Sequence, residues 1–598
     1  MLDGLQPQKL DAGALSVGAL ARLMREERQR QPDKKIHLVL DDRAAEAVGW
    51  AGGAAWCRQV GAAHIYALGA DVPDTDDVLR VVVTNDVEKA RQQYGACVVA
   101  AAPAFAAPFH GDDATLPCLV SLASDAFPVR PWEAPADWRA GDLPERRRKG
   151  LKDLATELAA LCADLRIDAA GNVWALGDTA GAVGAAVDAQ LQQGGGRRAA
   201  LVLLDRTADL SVVGAPPDGA LERIMAHFSG EGPLLSAAAD LTKAYDAPWV
   251  MNACDRALLR RVVAAASHDD ALDLLNEAVA ERLQLYGIAP PPQKKRGRGA
   301  ALAAHLEALL KGAPQPASSA FDVPDKPLRA ISDIAPLGVA VVEATQRTAK
   351  RRTSLEDVLA LDKLLANLVA HANAGLLECA DVVAETYERK TTSLTASDAA
   401  CALVRCLALT RDGADAAAQR VARAVQSCAD NDDRDAALFV LGLVGVLSTR
   451  VCGPPGLVGL VVDAVLRGND DGLTRPGLGA AASAALGSLS ETVGLGGVFG
   501  KVKAAVADRA PRRRAGDGGA LIIMIVLGGL TFSEIRDANA VLEELGARDR
   551  VVLGGTRLCT GQDVAEALFF ADDEASDPPS RGICKLVCLC SSPQVSQD

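Results

Sequence analysis

The first hundred or so residues alternate short, unbroken apolar runs with helical stretches. Ile36 to Leu40, Ala63 to Leu68, Val78 to Val83, Cys97 to Ala101 and Leu116 to Leu122 all lack strict polar alternation. Strands covered by helices on both faces read this way, because neither face meets water. Between the first two runs, Ala44 to Val60 is helical in character. The pattern predicts a small doubly wound α/β domain over residues 1–126.

Phe127 to Gly150 holds Pro128, Pro131, Pro135 and Pro144 and reads as a linker. A second α/β pattern follows it. It comprises a helix near Leu151 to Leu165, a strand at Val173 to Leu176, a helix to Leu191 and a strand at Ala199 to Leu204. Long Ala/Leu-rich helical segments then run on, broken at Pro290 to Pro292, Gly312 to Pro327 and Gly468 to Gly479. Ser354 opens one helix with Asp357 three residues on, a capping-box-like start, and Ser397 opens another. Strand character returns at Ala520 to Leu527 and Arg550 to Leu553, with helices at Thr531 to Leu545 and Gln562 to Phe570. A late α/β piece after a long helical run predicts a discontinuous second domain, 127–245 and 508–570, interrupted by a helical third domain, 246–507. Residues 571–598 form a tail.

Composition sharpens this picture. Aromatic residues are only 4% of the chain, and all six Trp lie between Trp50 and Trp249. The later half must pack with Ala, Leu and Val, which favours close-set helices. The net charge is −14, so the broad basic footprint of a nucleic-acid binder is absent. The basic clusters, Arg146 to Lys149, Lys294 to Arg298, Lys350 to Arg352 and Arg512 to Arg514, are local and read as solvated loops. The longest apolar run, Ala520 to Leu530, is far shorter than the roughly 20 residues that cross a bilayer, so any membrane association is expected to be peripheral. The start of the chain carries no apolar signal core, and the 14 Cys are scattered. A cytoplasmic setting with reduced thiols is the expectation.

Candidate chemistry is sparse. Gly177, Gly181 and Gly184 follow a strand, but their spacing is not that of a dinucleotide loop, whose first two glycines must stand close. Gly500-Lys501 lacks the P-loop's first glycine, which is Leu495 here, and its Ser/Thr, which is Val502. No two of the seven His stand four residues apart, and neither C-x-x-C nor G-x-S-x-G occurs. No catalysis, cofactor or metal is expected. Cys584, Cys588 and Cys590 are compatible with acylation, a partial metal site or a variable terminus.

Two polar constellations carry more information. The strand ending at Leu204 runs straight into Asp205-Arg206-Thr207-Ala208-Asp209. A charge cluster at the end of a buried strand needs internal pairing. Arg206 can fork between Asp205 and Asp209 or reach a distant acid. The second constellation is Gly528-Gly529-Leu530-Thr531-Phe532-Ser533-Glu534, in which the glycines allow a tight turn and Thr531 offers an N-cap with Glu534 at the third helical position.

In order and in their separation of over 300 residues, these constellations resemble those of the Sec1/Munc18 (SM) family. Its members carry a strand followed by D-R-x-x-D and, near the carboxyl end, a strand followed by G-G-x-T-x-x-E. Val552-Leu553-Gly554-Gly555-Thr556-Arg557 is similar to the family's closing strand and turn. The resemblance reaches to about Phe570 and implies an arch of three domains, two with parallel sheets and one mainly helical insertion. It implies no catalysis. It implies binding of syntaxin-type SNAREs, with tethering-complex subunits as further partners, and a peripheral place on endoplasmic reticulum or Golgi membranes. The seven motif residues, Asp205, Arg206, Asp209, Gly528, Gly529, Thr531 and Glu534, are expected to be structural. The family's projecting helical hairpin would fall at Ser354 to Arg389, where Val358, Leu361, Leu365 and Leu368 share one helix face as a candidate partner-binding surface. After the first motif the chain departs from the family: Ser211-Val212-Val213-Gly214-Ala215-Pro216-Pro217 replaces a Pro and a helix with His and aromatic residues.

Overall fold

A computed structural model describes residues 12–51, 53–109, 118–122, 145–191, 196–216, 268–285, 355–372, 374–389, 394–410, 413–428, 431–450, 457–467 and 521–570, with the single positions 258, 261, 265 and 473 besides. The chain begins with α1 (Ala12–Arg30), β1 (Lys35–Leu40), α2 (Asp42–Ala51), α3 (Gly53–Val60), β2 (Ala62–Ala67), β3 (Val78–Val83), α4 (Val87–Tyr94) and β4 (Val98–Ala100). The stretch expected as one helix, 44–60, is therefore two. The four strands form one parallel sheet in the order β2-β1-β3-β4. Ile36, Leu38 and Val81 face α1, α2 and α3 on one side. On the other side Val39 and Val82 pack under Ala90 and Tyr94 of α4.

Next come β5 (Ala106–Phe109), β6 (Cys118–Ser121), α5 (Glu145–Asp164), β7 (Ile167–Asp168), β8 (Val173–Leu176), α6 (Asp178–Gln190) and β9 (Arg197–Asp205). Two expectations are corrected here. Leu116 to Leu122, assigned above to the first α/β domain, supplies β6 of a second sheet, paired with residues 552–555. An apolar run reports burial on both faces but not which strand lies beside it. Arg146 to Lys149 sit in the first turn of α5 rather than in a loop, with Glu145 ahead of them.

The helical part contributes α7 (His268–Leu285), α8 (Leu355–Ala372), α9 (Leu376–Glu388), α10 (Ala396–Leu409), α11 (Ala414–Cys428), α12 (Asn431–Arg450) and α13 (Leu457–Leu466). Ser354 lies outside the described residues. Helix α10 is opened by Thr395, not Ser397: Thr395 and Asp398 form a reciprocal capping box. The chain closes with β10 (Leu521–Leu527), β11 (Leu530–Thr531), α14 (Phe532–Glu544), β12 (Val551–Gly555), β13 (Leu558–Cys559), α15 (Gly561–Ala565) and a π-type turn, Glu566–Phe570.

The second sheet runs β5-β6-β12-β10-β9-β7, with β8 also on β9, and all its pairings but β5–β6 are parallel. Strand β10 sits at its centre and every one of its residues is buried. Ile523 and Ile525 face α5 and α6, whereas Ile522, Met524 and Val526 face α7, α13 and α14. The second α/β body is thus discontinuous: its central strands come from either side of the helical insertion. The helical insertion divides in two. Helices α7 and α13 pack on the sheet, and α8 to α12 build a separate core that Leu210 to Val213 and the closing turn also enter. The first sheet's domain is tied to this body by Arg43 of α2. Its guanidinium donates to the carbonyls of Pro103 and Ala104 and pairs with Glu157 of α5 at 2.7 Å.

Candidate functional site at the junction of the α/β body and the helical domain

The carboxyl end of β9 carries the first constellation into the protein interior. Arg206 is 1% exposed. A buried guanidinium needs an acceptor for each of its five N–H groups, and five hydrogen bonds to four acceptor atoms supply them. Nη1 donates to Glu534 Oε2 (2.9 Å) and to the Gly529 carbonyl (3.3 Å). Nη2 donates to Glu534 Oε1 (2.7 Å) and to the Asp209 carbonyl (3.1 Å), and Nε donates to that same carbonyl (3.3 Å). Of the two pairings open to Arg206 in sequence, the distant acid holds it, through a two-pronged ion pair. Burial works against the charge of Arg206, but the Glu534 carboxylate outweighs it and lifts the guanidinium pKa above its ordinary value.

The acids of both constellations hold helix starts. Asp205 accepts from the Thr179 amide in the first turn of α6 (2.9 Å) and from Thr207. Burial pushes the Asp205 carboxyl pKa up, and these hydrogen bonds pull against it. Asp209 accepts from the Ser211 amide and, through its other oxygen, from the amide of Leu457, the first residue of α13 (3.0 Å). Glu534 forms the reciprocal capping box with Thr531 that opens α14. Three helices are therefore docked on the end of one strand by carboxylates lying at their positive ends.

The glycines make the close approaches possible. Gly177, at the start of α6, has φ 96°, and a Cβ there would stand 2.4 Å from Asp205 Cβ. This is tight strand–helix packing, with the backbone turned against Asp205. Gly529 has φ 101°, and a Cβ on it would meet Cys559 Sγ at 2.5 Å. Gly528 donates its amide to Thr556 Oγ1 (3.1 Å). All seven motif residues thus converge, and the donors and acceptors named are taken up within the protein. Their arrangement is a clamp with no guanidinium N–H left for a ligand.

Just beyond the clamp, the segment that departs from the family pattern enters the helical core. Leu210, Val212 and Val213 are buried there with Leu403, Leu407 and Val440. Arg405 of α10, 6% exposed, donates to the carbonyls of Val213 (3.0 Å) and Gly214 (2.8 Å) and pairs with Asp362 of α8. The Gly214 amide donates to the Gly561 carbonyl (2.7 Å), and Val564, Ala565, Leu568 and Phe569 complete the same core. Arg405 and Asp362 were missed in the sequence. The signal was a lone arginine inside the apolar run Ala402 to Leu409.

The face of α8 singled out above points the other way from a partner. Leu361 and Leu365 are 2% and 3% exposed in the helical core, and Val358 and Leu368 pack against it. These four residues are corrected from a candidate partner surface to core: a helical apolar stripe shows that something covers it, not what. The outward side of the α8–α9 pair presents Leu364 and Leu377. Cys584, Cys588 and Cys590 lie outside the described residues. Among the described residues no three His, Cys, Asp or Glu side chains gather as a metal site, and no helix is long and apolar enough to cross a membrane.

No protein-family model matches the chain, and no curated protein matches it significantly. Solved structures do match over nearly its whole length. Unc18 of the Unc18–syntaxin 1 complex from Monosiga brevicollis superposes with a TM-score of 0.51 at 13% identity, covering 94% of this chain and 99% of that one. Sly1p, solved in complex with an N-terminal peptide of Sed5p, gives 0.53 at 11% identity, covering 94% and 98%. The chain therefore has the SM fold: two α/β domains with parallel sheets, the second discontinuous, and a mainly helical insertion.

Proposed function

We propose that this chain is an SM-type protein of vesicle-mediated transport that binds syntaxin-type SNAREs and promotes or regulates their assembly before membrane fusion. The observation that supports this most is the extent of the likeness: 94% of the chain follows the fold of Unc18 and Sly1p, each solved with a syntaxin or with a peptide of Sed5p. The work asked of such a protein is physical. It holds two partners in register, so that one bimolecular ordering step becomes intramolecular. That requires a rigid body, and the clamp and the Arg405 contacts supply rigidity where the helical domain meets the sheet. No cofactor enters, and we assign no catalysis. The endoplasmic reticulum–Golgi pathway, with peripheral membrane attachment, is the setting we assign. It rests on three stretches that resemble in detail the member called Sec1 family domain-containing protein 2: Asp205 to Leu210, Leu337 to Ala340, and Gly555 to Leu558 with Glu566 to Phe570.

One observation favours a second reading, an SM-fold scaffold within a tethering complex with little direct SNARE affinity. The segment Ser211 to Pro217 lacks the family's usual continuation, and its described apolar residues are spent on the helical core. Affinity purification of the chain ending at Phe570 from cell lysate, with mass spectrometry and then binding to purified partners, separates the two. Direct retention of syntaxin-type SNAREs supports the first; tether subunits alone support the second. Recovery of neither leaves only the fold.

A further inference from the structure

The face of the first sheet that carries α4 is covered mainly where Ala90 and Tyr94 meet Val39 and Val82. Nearer the amino ends of the strands the same face bears His37 on β1 and His64 on the edge strand β2. The two are register partners in the parallel pairing. Their rings stand 4.7 Å apart between centroids at 73°, and the Tyr66 ring lies 5.5 Å from His37. His37 is 4% exposed, and its Nδ1 is buried without a hydrogen-bond partner. Buried nitrogens are nearly always satisfied, so an exception asks for an explanation.

An ion bound about 2.0–2.1 Å from one nitrogen of each of two imidazoles, at a near-tetrahedral angle, sets the ring centroids roughly 5 Å apart. The strand register already supplies that separation. The charged groups acting on His37 are Lys35, Asp77 and Arg80. Arg80 is engaged by the Tyr94 carbonyl and Asp74, and Asp77 by Thr75 and Lys35. Among the described residues no third acid, thiol or imidazole is grouped here, so solvent on the side of the half-buried His64 would complete the coordination. Nitrogen plus water selects late first-row ions over calcium or magnesium.

We propose that His37 and His64 form a two-histidine site for a late first-row divalent ion, Zn²⁺, Ni²⁺ or Cu²⁺, that pins the edge strand β2 to β1. The probe is Ni²⁺, added to the full chain at neutral pH and followed by calorimetry and by the visible spectrum. The expected result is one bound ion per chain with nitrogen and no thiolate ligation, weakened about ten-fold or more by His64→Ala and unchanged by Tyr66→Phe. In the unsubstituted chain, Ni²⁺ should also shield His64 from acylation by diethyl pyrocarbonate, which tests the site without any variant. Equal Ni²⁺ affinity in wild type and His64→Ala, no binding to either, or undiminished acylation of His64 in the presence of Ni²⁺ would overturn the proposal.

Discussion

Replacing Arg206 with alanine removes five donors at once and leaves the Glu534 carboxylate, 2% exposed, without its counter-charge. Breaking a buried ion pair from one side costs about 3–5 kcal/mol. Counting the two charge-assisted bonds to Glu534 at about 1.5–3 kcal/mol each gives a similar figure. At about 1.4 kcal/mol per factor of ten, the local opening equilibrium should rise roughly 100- to 4,000-fold. A chain of several domains need not melt in one step, so a local probe is preferable to a global midpoint. Cys559 provides one. It is 1% exposed against Gly529, its thiol is held protonated by burial, and it reacts only when the clamp opens. Labelling of Cys559, followed by peptide mass spectrometry, should accelerate in Arg206→Ala by the factor above. Arg206→Met combined with Glu534→Leu should recover only part of the loss, because it leaves no stranded charge but removes the partners of the Thr531 amide and of the Gly529 and Asp209 carbonyls. If Arg206→Ala labels at the wild-type rate and yet fails to bind partners, the clamp is a contact surface and the reasoning fails.

Gly177→Ala should destabilise by about 1–3 kcal/mol from backbone strain alone, since φ 96° disfavours any Cβ and the Asp205 side chain fills its place; hydrogen exchange in α6 and β9 reads the loss. Leu365→Ala should cost about 2–5 kcal/mol as a core truncation, whereas Leu364→Ala on the outer side should stay within about 0.5 kcal/mol in denaturant titrations; equal costs would refute the assigned helix face. Burial first, then Asp563, lift the Glu566 pKa from 4.5 to about 7. The folded chain therefore keeps a proton that the unfolded chain releases, and this contribution to stability is full below about 4.5 and lost as pH rises through about 7. Glu566→Gln should flatten the stability–pH curve in that window. His37 runs the other way, its contribution present above 6.5 and lost as pH falls toward about 4.

The strands were readable because burial on both faces leaves an unbroken apolar run, and Leu201 to Leu204 and Ile522 to Leu527 are such runs. Their neighbours were not readable. Nothing in Leu119 or Val120 announces that they pair with Leu553 and Gly554 rather than with the first sheet. The start of α14 was visible because a capping box is local, whereas the Arg206–Glu534 pair spans 328 positions and left two pairings open. The Leu361 and Leu365 stripe was read correctly as apolar and helical, but the partner it meets is its own domain.

The placement of β10 at the centre of the second sheet has a consequence for synthesis. Strand β9, fully apolar from Ala199 to Leu204, emerges beside β7 and β8 but long before β10, which pairs with its other edge, and Glu534 follows Arg206 by 328 residues. At about 5–20 residues per second, the ribosome needs roughly 15–65 s to supply them. For that interval the nascent chain displays an unpaired apolar strand edge, a ready template for wrong pairing. A truncated chain ending within the helical insertion would be stranded in this condition. The two-part sheet thus makes the last strands a checkpoint, and chaperone occupancy on the nascent chain should fall only once β10 and β12 have emerged.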